Sequence, residues 1–126
     1  MISEERLRTI IMILGAFFAL QGVAWLIDPA RVAAGLGMPL LDGLARSTQV
    51  GDLASFFIVA GVTMMIGSRH GRARLLYVPA GLIGGAAITR TLAWAFQGAD
   101  FATLFITVEV VIGLTLIAGA RTLDEV

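Results

Sequence analysis

Apolar positions run in four long blocks, approximately residues 7–27, 47–67, 75–97 and 101–120, and polar positions gather in the short stretches between them. A helix rises 1.5 Å per residue, so about 20 such residues cross the hydrocarbon core of a bilayer. The pattern predicts an all-α, integral membrane bundle of four transmembrane helices, with residues 1–126 forming a single domain. No internal repeat is visible. The first block is too long for the apolar core of a signal peptide, so a retained helix is expected.

Helix boundaries carry their own signals. Ser3 suits an N-cap, with Glu4 and Glu5 in the positive first turn that follows. Asp28-Pro29 ends the first span, and Asp28 is placed to cap a short interfacial helix at residues 29–34 that opens on Pro29. Gly35, Gly37 and Pro39 break that helix, and residues 40–45 lead into the second span. Gly98 suits the C-terminal cap of the third span and Asp100 the N-cap of the fourth. So short a connection makes the last two spans an antiparallel pair.

Composition agrees with a membrane class. The chain is 58% apolar and 14% charged, against about a quarter charged in soluble domains; its mean hydropathy is +0.91. There is no cysteine, which excludes disulfides and thiolate metal sites. A net charge of zero gives no support for nucleic-acid binding. Arginine sets the expected orientation. Arg69, Arg72 and Arg74 lie between spans two and three, and Arg6, Arg8 and Arg121 flank the termini on that same side, against Arg31 and Arg46 opposite. The excess places both termini and the 69–74 loop in the cytoplasm.

Three ionisable side chains interrupt the apolar blocks: Asp52, Arg90 and Glu109. A charge in hydrocarbon costs about 2.5–3.5 kcal/mol on insertion scales, so such groups are paired or functional. Gln21, Asp52, Arg90 and Glu109 each fall about 9–12 Å from the outer end of their own span at 1.5 Å per residue. One polar group per span thus enters one layer. Gln21 shares a face with Trp25, and Arg90 with Trp94 and Gln97, while Thr48, Gln49, Asp52 and Ser55 form a polar stripe on span two. A polar pocket in the outer third is expected, built from Asp52, Arg90, Glu109, Gln21, Gln49, Trp25 and Trp94. Arg90, with its planar fork, is expected to bridge both carboxylates. One guanidinium against two carboxylates leaves a negative charge that a proton, cation or water must offset.

The same layer also fits a structural ion network with no ligand, and the two tryptophans fit an interfacial aromatic belt. Catalysis has little support: no phosphate loop, zinc spacing or Ser-His-Asp set is present, and the single histidine, His70, lies in the arginine loop. No cofactor and no metal are expected. Gly81 and Gly85 form a GxxxG that suits either an oligomer contact or packing within the chain. The arginine loop suits anionic headgroups as well as topology.

Asp28-Pro29, Gly35-Leu36-Gly37, the segment from Arg46 to Asp52, Arg90-Thr91-Leu92-Ala93, Gln97-Gly98 and Glu109 together give the chain its resemblance. It resembles the DUF4345 group of small four-helix bacterial membrane proteins and, more loosely, DoxX-like proteins, over nearly its whole length. In that group an acidic residue and an arginine stand together at the start of the second span. Here Arg46 and Asp52 are more than a helical turn apart. The resemblance implies a bacterial inner-membrane protein in which Arg90 and Glu109 pair, and it carries no activity. The expected partners are the lipid bilayer, a lipid or small-molecule ligand, and a second copy or a larger membrane complex. Three functions remain in view: binding in the outer pocket, an accessory subunit, and a small proton-coupled transporter.

Overall fold

Each of the four apolar blocks is a helix in the computed structural model, which describes residues 2–124. The helices are α1 (Glu4–Ile27), α2 (Pro29–Gly35), α3 (Gly43–Gly67), α4 (Tyr77–Phe96) and α5 (Thr103–Thr122), with a 3-10 turn at Ala73–Leu76 before α4. Four of them are long and apolar enough to cross a membrane, and the short α2 lies between the first two spans. α1 starts earlier than its apolar run because Ser3 caps it, its hydroxyl accepting from the Arg6 N–H at 3.3 Å. Gly98 takes the left-handed φ of 70° that ends α4 and turns the chain toward α5.

Two expected caps are not used. The Asp28 carboxylate makes no capping bond to α2 and instead meets Arg31 at 3.4 Å on the surface. At α5 the N-cap position falls to Ala102, not Asp100, so the helix starts at Thr103.

The helices associate as two antiparallel pairs, α1 with α3 and α4 with α5, and the first pair has the more extensive contact. Its closeness comes from small residues. A Cβ built on Gly15 would lie 2.8 Å from the Gly61 carbonyl oxygen, and one on Gly22 would lie 2.9 Å from that of Ala54. The GxxxG of α4 does not act this way, since a Cβ on Gly81 or Gly85 meets nothing within 4 Å. α4 and α5 instead approach at Gly84 and Gly113, where a Cβ on Gly113 would stand 3.6 Å from the Gly84 Cα.

The pairs join only over part of their length. A core of Ile11, Phe18, Ala60, Met64, Leu76, Ile83, Ile112 and Leu116 draws on α1, α3, α4 and α5 in the half nearer the termini. In the other half, here the far half, the buried cluster of Trp25, Ala33 and Ala54 belongs to α1, α2 and α3 alone. At the terminal end a polar clasp locks the pairs. The Arg8 guanidinium, in the first turns of α1, donates to the Ser68 carbonyl at 3.0 Å and to the Asp124 carboxylate at 2.7 Å. Asp124 also accepts the Ala73 N–H at 2.9 Å.

Candidate functional site

Helical periodicity connects the shared core to the far-half polar layer. On α3, Asp52 lies one turn outward from Phe56, which packs against that core. On α4, Arg90 follows core residue Ile83 by seven positions and buried Ala87 by three. On α5, Glu109 precedes Ile112 by three positions and Leu116 by seven. Each charged residue thus continues outward the stripe that forms the core in the terminal half. Where that seam turns polar, the buried core shared by the two pairs stops.

Arg90 and Glu109 form the ion pair within this layer. Arg90 Nε lies 2.9 Å from Glu109 Oε1 and hydrogen-bonds Oε2 at 3.2 Å. The carboxylate is the more enclosed partner, with 15% of its side chain exposed against 35% for arginine. The guanidinium carbon sits 4.8 Å above the Phe105 ring, a cation–π contact from one turn outward on α5. Only Nε is engaged: the two terminal nitrogens have no hydrogen-bond partner among the described residues.

The other expected members divide. Asp52 is exposed and makes no ion pair among the described residues, so Arg90 binds one carboxylate and does not bridge two. Gln21 is half-buried, three positions beyond the core residue Phe18. Trp94 is exposed at the far end of α4, its ring edge-on to Phe101 with centroids 5.2 Å apart. Two residues belong to the scaffold rather than to an open site. Gln49 is buried, and its side-chain amide accepts the Leu41 N–H at 2.9 Å and donates to the Pro39 carbonyl at 3.0 Å, fastening the loop that precedes α3. Trp25 is fully buried with Ala33 and Ala54, under α2. Both stand about one helical turn further out than Gln21 and Asp52, and their side chains turn toward the α2 loop.

The sequence reading missed the clasp. Arg8 had counted only as a topological charge, and Asp124 carried no signal, since its partners are 116 positions away for Arg8 and 51 for Ala73. N–H groups of Gly71 and Ala73, and then Arg8, hold the Asp124 carboxyl far below its ordinary value near 3.8. Among the described residues, no three His, Asp or Glu side chains gather as a metal site requires.

Four apolar spans in two pairs, with an intramembrane ion pair, define a small multi-pass membrane protein of the four-helix type. The chain belongs to the DUF4345 family, described as a domain of unknown function, whose model matches residues 6–120. No curated protein and no solved structure matches it.

Proposed function

We infer that the protein binds a small molecule or lipid in the far half of the bundle, within a bacterial inner membrane and with both termini in the cytoplasm. The supporting observation is the change along the seam. Stripes that bury Ile83, Ile112 and Leu116 in the terminal half lead outward to Arg90, Glu109 and Asp52, where no core shared by the two pairs covers them. Six arginines at the terminal end against two at the other support the orientation.

The chemistry suits an amphiphile. Arg90 is already oriented by Glu109 and Phe105 and offers two terminal nitrogens to a carboxylate or phosphate. Asp52 offers an acceptor to a hydroxyl or ammonium group. Trp94 and Phe101 supply an apolar rim. Gln21 adds an amide at the same depth. Gln49 and Trp25 hold the frame from behind.

Native mass spectrometry after gentle release from the membrane tests this reading. A retained lipid or small molecule, lost in Arg90→Ala and weakened in Asp52→Asn, is the expected result. A ligand-free protein, or one whose ligand survives both changes, overturns it. The second reading, an accessory subunit of a larger membrane complex, is favoured by the open Gly81 and Gly85 face of α4. It predicts stoichiometric co-purification of another subunit that Gly81→Leu abolishes.

A further inference from the structure

A groove of about 920 Å³ opens at the terminal end, between the segment leading into α4 and the end of α5. Arg72 and Arg74 line it from one side and Arg121 from the other, with Leu75 and Tyr77 beside them and Asp124 at its edge. All three arginines are exposed, and none lies within ion-pairing distance of a carboxylate among the described residues. The exterior arginines of the far end differ, since Arg31 meets Asp28 and Arg46 meets Asp42. Asp124 does not neutralise the groove: its carboxylate is already bound by Arg8 and by backbone N–H groups. The groove therefore presents three guanidinium groups that have no carboxylate partner among the described residues.

Guanidinium forks match phosphate oxygens, and here three of them line one concavity. The apolar part of the lining selects among phosphates. Leu75 and Tyr77 stay partly exposed where α4 enters its apolar span, so a phosphate held by the arginines has hydrocarbon beside it. We propose that this groove holds the phosphate headgroup of an anionic membrane lipid, with its first acyl carbons against Leu75 and Tyr77. The site is separate from the Arg90–Glu109 pair and lies at the opposite end of the bundle.

The test measures thermal unfolding of the purified protein in phosphatidylcholine micelles titrated with phosphatidylglycerol, since a ligand bound to the folded state raises Tm with concentration. Wild type is expected to show a saturable rise. Arg121→Gln should weaken the apparent affinity about fivefold, the scale for one basic residue at an anionic surface, and Arg72→Gln/Arg74→Gln more than that. Arg69→Gln, in the same loop but outside the lining, should behave as wild type. An equal loss in Arg69→Gln overturns the proposal in favour of diffuse surface charge. A flat wild-type titration also overturns it, and so does an equal rise with inorganic phosphate alone, which would make the ligand a free anion. If the double variant fails to fold, Arg121→Gln against Arg69→Gln decides the question alone.

Discussion

Gly61 is the position where one added methyl group should most disturb this bundle. A Cβ there would stand 2.8 Å from the Ala19 Cα, and nearer still to the Ala19 nitrogen. Carbon pairs prefer about 3.5–4.0 Å, so the crossing must open by about 1 Å. The obstacle is backbone, which cannot rotate aside as a side chain can. Opening by that distance forfeits about a quarter to a half of each local dispersion contact, and overpacking of this kind costs about 1–3 kcal/mol. Alanine also has the higher helix propensity, worth about 1 kcal/mol over glycine in water. Set against that gain, the overpacking leaves Gly61→Ala destabilised by up to about 2 kcal/mol. Gly85→Ala is the control, because nothing lies within 4 Å of a Cβ at that position. Reversible unfolding in mixed micelles should rank Gly85→Ala at or above wild type and Gly61→Ala below it. Equal stability of the two variants would refute the close-packed seam.

The polar contacts make further predictions. Arg90→Ala leaves the enclosed Glu109 carboxylate unpaired and should destabilise the fold by about 1–3 kcal/mol, below the range for fully buried pairs because the arginine is partly open. Adding Glu109→Ala should recover part of that loss, and a double-mutant cycle with no coupling would count against the pair. Asp52→Asn should leave unfolding within about 0.5 kcal/mol of wild type, as for exposed positions without partners; a large loss would show a contact that the fold lacks. Gln49→Ala strands the Leu41 N–H and should cost about 1–3 kcal/mol, with limited proteolysis appearing first in the loop between α2 and α3. For the clasp, a depressed folded-state pKa means stability that is full above the unfolded value and lost as pH falls through the folded one. Asp124→Asn should therefore lower Tm near pH 7. The gap to wild type should hold down to about pH 4, the ordinary aspartate value, and close only in stronger acid. A gap that stays unchanged in acid well below pH 4 would exclude the ionised carboxylate as the cause.

The sequence by itself determined the four spans, the short helix after Asp28-Pro29, the tight turn at Gly98, and the shared depth of Gln21, Asp52, Arg90 and Glu109. These are one-dimensional properties: a run of apolar residues sets a length, and 1.5 Å per residue sets a depth. Only the tertiary structure decided which neighbour each side chain meets. Asp52 and Glu109 stand at one depth, yet Arg90 meets Glu109 alone, because α4 packs along α5 while the α1–α3 pair shares no core with them in the far half. Gln49 and Trp25 share helices with Asp52 and Gln21 but stand a turn further out and turn toward the α2 loop. Gly15, Gly22 and Gly61 form the tight crossing, whereas a Cβ on the more conspicuous Gly81 or Gly85 would meet nothing within 4 Å. Rotation about a helix axis and the choice of partner helix depend on how whole surfaces fit together, and linear spacing does not contain that information.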